Sequence, residues 1–164
     1  MAAGEDVSLF AWIKTTQSTE AQIVRVSYTA PYLILGIASG KLRASIHDGT
    51  TGANDENNNG QTVNDGVWHY ITAINNGTNV SIYVDGVLEG INDTAALVWT
   101  STLYLYMGAF RPEARSLNWF NGSMDEIIIF NRSLSAEEIK QLYWSDIKKY
   151  GTEEYFKFDN NVIK

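Results

Sequence analysis

The sequence predicts an all-β fold, an antiparallel β-sandwich with one short helix near the C-terminus, and three observations carry that prediction. Short runs that alternate in polarity or are rich in β-branched and aromatic residues recur along the chain. Between them stand Ser39-Gly40, Asp65-Gly66, Asn76-Gly77, Asp85-Gly86 and Asn121-Gly122, pairs that tolerate the positive φ of tight hairpin turns. Only one stretch has convincing helical spacing.

The strand signals, in order, are VSLFAWIK (7–14), QIVRVSY (22–28), YLILGIA (32–38), LRASIH (42–47), VWHYITAI (67–74), NVSIYV (79–84), STLYLYMG (101–108) and SMDEIIIF (123–130). In VWHYITAI, Trp68, Tyr70, Thr72 and Ile74 share one face, and Val80, Ile82 and Val84 offer an apolar row across the turn. A period of two predicts that this face is core. The helix begins at SAEE, where Ser135 and Glu138 can cap each other's backbone amides. Ile139, Leu142 and Tyr143 then form an apolar stripe that is expected to plug one side of the sandwich.

Two loops are long, 48–60 (DGTTGANDENNNG) and 109–122 (AFRPEARSLNWFNG), and function is to be sought there. The division expected is one domain over 1–144 and a tail over 145–164. That tail is polar from Ser145 to Thr152 and then holds a strand-like run over 153–159.

At 164 residues the chain is about one domain, long enough to bury a core without staples. It has no cysteine, which excludes a disulfide framework, a thiolate zinc site and a cysteine nucleophile. A net charge of −7 with scattered basic residues argues against a nucleic-acid partner. No apolar run approaches the roughly 20 residues of a membrane span, so no direct membrane insertion is expected.

Taken in order, VSLFAWIK, V-x-DG-x-WH followed by SIYVDGVL, LYMG, and FNGSMDEIIIFNRSLSAEEIKQLY resemble the laminin-G-like jelly-roll domains of the concanavalin A-like lectin/glucanase superfamily. The resemblance implies a jelly-roll sandwich in which the Trp68-His69 hairpin is scaffold. It also implies an opening aromatic-x-F-D strand. Only MAAGED precedes VSLFAWIK, whereas Glu154–Asp159 (EYFKFD) has that pattern. The expectation is that this run fills a vacant sheet edge, either in its own chain or, by strand exchange, in a neighbouring chain.

Catalytic patterns are weak. There is no G-x-S-x-G elbow and no phosphate-cradling glycine loop. Related jelly-roll glucanases carry E-x-D-x-x-E on one strand, and the corresponding positions here are Ser123, Asp125 and Ile128. A facing carboxylate pair therefore does not come from this strand, and the chain is read as no enzyme.

Calcium is expected only in a structural role. Asp55, Asn57 and Asn59 match the first half of a D-x-[DN]-x-[DN]-G calcium loop, but Gly66 stands where the bidentate Glu belongs. An Asn-rich solvated loop is the competing reading. The resemblance adds Asp125 as a ligand on the sandwich rim.

For sugar, an aromatic platform flanked by polar groups is wanted. Trp99 and Trp119, near Asn92, Asp93, Arg111 and Asn118, are the candidates, although Trp119 could equally be a buried loop anchor. Five N-x-[ST] sequons, at Asn76, Asn79, Asn92, Asn121 and Asn131, suit a glycoprotein. The expected function is a non-catalytic recognition or adhesion module of a secreted or cell-surface protein, binding glycan or a cell-surface glycoprotein. The alternatives are a glycoside hydrolase domain and a structural spacer or protein-interaction module.

Overall fold

The computed structural model describes residues 6–26, 31–47, 54–57, 60–93, 104–109 and 118–150; at 54–57 the description is of the backbone. Among the described residues ten strands form two five-stranded antiparallel sheets. One has the order β10(Gly122–Phe130), β1(Val7–Thr15), β6(Trp68–Asn75), β7(Asn79–Val84), β8(Val87–Asp93). The other has β5(Asn54–Asn57), β4(Lys41–His47), β3(Tyr32–Ala38), β2(Ala21–Val26), β9(Leu105–Met107). The one helix among the described residues, α1(Ala136–Tyr150), follows β10.

The antiparallel sandwich predicted from the strand signals is therefore the one observed. All eight predicted runs supply strands; of STLYLYMG the described strand is Leu105–Met107. Two strands were not foreseen. β8 (VLEGIND) lacks an apolar alternation because it is a sheet edge, with Val87, Leu88 and Ile91 all about half exposed. β5 (NDEN) lies inside the loop read as a calcium candidate, and its extended backbone pairs in register with Ala44–His47 of β4.

Three of the five predicted turns are hairpins. Ser39-Gly40 joins β3 to β4 and Asp85-Gly86 joins β7 to β8, with positive φ at all four residues. These are mirror-image two-residue turns, whose twist suits the paired strands. Asn76 opens the β6–β7 connection, where its Oδ1 accepts from the amides of Thr78 and Asn79. Asp65-Gly66 instead leads into β6, with the Gly66 amide donating to the Thr15 carbonyl. Asn121-Gly122 opens β10, where a Cβ on Gly122 would lie 2.4 Å from the Lys14 carbonyl oxygen. That close approach, not a turn, requires the glycine.

Both faces of the first sheet are buried, which corrects the expected pairing of faces. Ile71 and Ala73 of β6 stand opposite Val84 and Ile82 of β7, and these four join Leu9, Ala11, Leu33, Leu35, Leu42 and Ile46 in an aliphatic core between the sheets. Trp68, Tyr70 and Ile74 point the other way, into a second cluster with Phe10, Trp12 and the helix residues Ile139 and Ile147. Val80, Ile82 and Val84 therefore do not share a face with Trp68 and Tyr70. Alternation identifies two faces but cannot say that only one is buried, and here the helix covers the outer one.

The helix starts as its sequence predicts. The Glu138 amide donates to Ser135 Oγ at 3.2 Å and Glu138 Oε2 accepts from the Ser135 amide at 2.9 Å. Arg132 clamps the same carboxylate at 2.6 Å, and this pairing holds Glu138 down at a pKa of about 2. The helix runs past Trp144, through the stretch read as a polar tail. Ile147 is buried and Tyr150 stacks on Trp12 at 4.3 Å. The run expected to be a strand, 153–159, lies outside the described residues.

Candidate functional site

Of the four sheet faces, two form the aliphatic core and a third lies under α1. The fourth is the outer face of β5-β4-β3-β2-β9, and its side chains follow from register. Leu33, Leu35 and Ile37 of β3 and Leu42, Ala44 and Ile46 of β4 point inward, so Tyr32, Ile34 and Gly36, with Arg43, Ser45 and His47, point outward. One cross-strand row reads Tyr106, Arg25, Ile34, Ser45; the next pairs Tyr32 with His47; a third runs Gln22, Gly36, Arg43.

This face is polar, cationic and aromatic where the opposite face of the same strands is aliphatic. The Arg25 guanidinium lies 3.9 Å from the Tyr32 ring centre, a cation–π contact. The Tyr32 ring in turn lies 5.2 Å from His47. Arg43 pairs with Glu20 at 2.8 Å. At the open edge, β9 carries Tyr106 on the same face beside Tyr104, their ring centres 6.4 Å apart, and Tyr104 is 55% exposed.

Trp119 lies along that edge of the sandwich. The Phe120 amide donates to the Gly108 carbonyl just beyond β9, and the Gln22 amide donates to the Asn118 carbonyl. Gln17 fixes the segment, donating from Nε2 to the Trp119 carbonyl at 2.9 Å and accepting from the Asn121 amide at 2.8 Å. Trp119 is 49% exposed, so it is not a buried anchor. Tyr104 and Tyr106 border the Arg25–Tyr32 end of this face, whereas Trp119 lies at its other end, beside Gln22 and Asn118. Aromatic faces next to amide and guanidinium donors can hold a sugar ring and fix its hydroxyls.

The other predicted ligand residues do not join this group. Asn92 and Asp93 end β8, the opposite edge of the first sheet, where Asp93 stands across from Asn79. Trp119 lies near Thr15, at the far end of the strands. Trp99 and Arg111 lie outside the described residues, as does Asn59. Of the sequons, Asn76, Asn121 and Asn131 are exposed, and Asn79 and Asn92 are half-buried.

Asp125 sits one residue before a bulge in β10, where Glu126 takes a positive φ of 46°. Its Oδ1 accepts from the Glu126 amide at 2.8 Å and its Oδ2 meets Lys149 Nζ at 3.0 Å. The hydrogen bond from Lys149 leads the lowering of its pKa. Glu126 holds the same ammonium at 2.8 Å. In this structure the Asp125 carboxylate is bonded to an ammonium and a backbone amide. No three His, Asp or Glu side chains cluster to hold a metal among the described residues. The side chains of Asp55 and Asn57 lie outside the description.

His69 is a structural clamp, as the resemblance implied. It is buried, with Nδ1 2.8 Å from Asp85 Oδ2 and Nε2 3.2 Å from Asp65 Oδ1. Asp85 Oδ1 also accepts from the Tyr70 amide at 2.8 Å, and Asp65 Oδ1 from the Val67 amide at 2.9 Å. The ring thus ties the β7–β8 turn to the approach to β6. Burial opposes its charge, but the hydrogen bond and charge of Asp85, followed by Asp65, outweigh burial and raise its pKa.

A groove of about 370 Å³ lies between β10 and α1, lined in part by Phe130, Leu134 and Leu142. Its charged groups, Arg132 and Glu138, are bonded to each other. No helix among the described residues is long and apolar enough to cross a membrane.

The comparisons with known proteins agree with this architecture. No curated protein matches the sequence. Among solved structures, the fold is similar to mouse laminin α1 chain domains LG4-5, at 18% identity over 84% of this chain and 38% of that one, with a TM-score of 0.63. It is also similar to botulinum neurotoxin type C, whose cell entry depends on interaction with two ganglioside molecules, at 17% identity over 86% of this chain and 36% of that one, TM-score 0.61. A candidate carbohydrate-binding protein of Bacteroides ovatus aligns at 17% identity over 84% of this chain and 40% of its own, TM-score 0.64. The chain thus spans a little over a third of each of these solved chains. The family model described as the concanavalin A-like lectin/glucanases superfamily, in its laminin-G form, matches residues 1–140, and the chain belongs to that family.

Proposed function

We propose that the protein is a non-catalytic carbohydrate-binding module of a secreted or cell-surface protein, and that glycan binds at the β9 rim of the outer face of β5-β4-β3-β2-β9. The observation that carries this reading is the segregation of chemistry across one sheet. The inner face is uniformly aliphatic, while the outer face gathers Arg25, Tyr32, Arg43, Ser45 and His47; Arg25 and Ser45 are buried, and the exposed aromatics Tyr104 and Trp119 stand at its rim. Ganglioside interaction of the neurotoxin and the assignment of the Bacteroides protein support a glycan as the ligand class.

A hydrolytic role has less support. Both carboxylates at the β10 bulge are bonded to Lys149, and His69 is held on both ring nitrogens by scaffold carboxylates. The test is a glycan array probed with the wild-type protein and with a Tyr104→Ala/Trp119→Ala variant, both border residues being about half exposed. Binding by the wild type that the variant loses at unchanged melting temperature supports the reading. A wild type silent on the whole array, or a variant that binds equally, contradicts it.

A further inference from the structure

Among the described residues the sandwich is open along one side. β10 and β9 are both outermost strands, and they lie on the same side, since the Phe120 amide bonds the Gly108 carbonyl and a Cβ on Gly108 would lie 3.1 Å from Met124 Cε. Inward-facing positions on these two strands are nevertheless exposed. Ile129 stands opposite Leu9, and Leu105 and Met107 stand opposite Val26 and Val24, partners that are all buried in the aliphatic core. Yet Ile129 is 41%, Leu105 48% and Met107 55% exposed. Apolar side chains aimed into a core but open to water mark a place where another strand belongs.

We propose that this seam between β10 and β9 is a strand-acceptor site and that its occupant is the segment Glu154–Asp159 of this same polypeptide sequence. The described chain ends on the helix-covered face of the first sheet, with Lys149 at its edge strand β10. Lys149 bonds Asp125 and Glu126 of β10, and Tyr150 packs on Trp12 of β1 and Trp68 of β6. The four Cα steps from Tyr150 to Glu154 can span about 13 Å, more than two strand spacings of about 4.8 Å, enough to bring Glu154 from above β1 to the edge of β10. EYFKFD alternates, with Phe156 and Phe158 on one face and Tyr155, Lys157 and Asp159 on the other. One apolar face and one polar face suit a strand that covers Ile129 and Leu105 while its outer side meets solvent. The donor is the chain's own segment, because Lys149 already holds the end of α1 on β10; exchange of the strand with a second copy is the outcome the test separates.

The chain has no cysteine, so paired substitutions report contact without background. Ile129→Cys with Phe158→Cys, oxidised in the full chain, is expected to form a disulfide within one chain; a disulfide found only between two chains overturns the own-chain donor. Trp144→Cys with Phe158→Cys, on the outer surface of α1, serves as the control. Cross-linking no faster than this control overturns the proposal. Independently, Phe156→Ser/Phe158→Ser is expected to lower the melting temperature by several degrees while Tyr155→Ser/Lys157→Ser leaves it unchanged. Equal effects of the two double variants also overturn it.

Discussion

Two buried or bonded side chains decide what the individual residues do. His69 has a folded-state pKa above its ordinary 6.5, and Asp65 one below its ordinary 3.8, where the opposition of burial is outweighed by the Val67 amide and His69. A raised base contributes stability that is complete below the unfolded pKa and is lost as pH rises through the folded one. A lowered acid contributes stability that is complete above the unfolded pKa and is lost on acidification. The clamp is therefore strongest between about pH 4 and pH 6.5. The melting-temperature gap between wild type and His69→Gln is expected to shrink as pH rises from about 5.5 to about 8.5; a constant gap would mean that the charge of His69 contributes nothing. Asp125→Asn removes the oxygen that holds Lys149, so its cost should be equal in millimolar calcium and in chelator. A loss confined to calcium would make Asp125 an ion ligand after all.

At the scale of elements, α1 matters most, because it turns the outer face of a sheet into a second core. Ile139 is fully buried and Ile147 nearly so. Replacing Ile147 by Ala should cost about 2–5 kcal/mol, the usual price of a buried isoleucine truncated to alanine, whereas Ser135→Ala, which removes one half of the capping box, should cost about 1 kcal/mol. Denaturant unfolding measures both, and a smaller loss at Ile147 than at Ser135 would show that the helix is only loosely docked. The start of this helix was legible because a capping box is local chemistry. Its end was not, because Ser145 and the two lysines dilute the apolar stripe while Ile147 and Tyr150 still find tertiary partners on Trp12 and its neighbours. β5 and β8 were missed for the opposite reason: an edge strand buries little, so its sequence needs no alternation, and only pairing with β4 and β7 defines it.

For the whole molecule, the fold class, the central hairpins and the scaffold role of Trp68-His69 could be read from residue order, since turns and periodicity are short-range signals. The candidate site was only half legible. Trp119 and Asn118 stand out as an aromatic-amide pair in a long loop, but Asn92 and Asp93 are brought to the opposite edge by a strand that sequence did not reveal. The sheet-face residues were in view as alternation, most clearly in LRASIH, where Leu42, Ala44 and Ile46 interleave with Arg43, Ser45 and His47. What sequence lacked was knowledge of which outer face the helix would cover, and that, on the face α1 leaves, Arg25, Ile34 and Ser45 are buried while Tyr104 and Trp119 at its rim are exposed. The most direct test is a backbone amide chemical-shift map recorded while a glycan identified on the array is titrated into the isotope-labelled protein. The predicted result is a contiguous set of shifts on Arg25, Tyr32, Tyr106 and Trp119 with the α1 face silent; shifts confined to α1, or to the Asn92–Asp93 end of β8, would contradict the assignment.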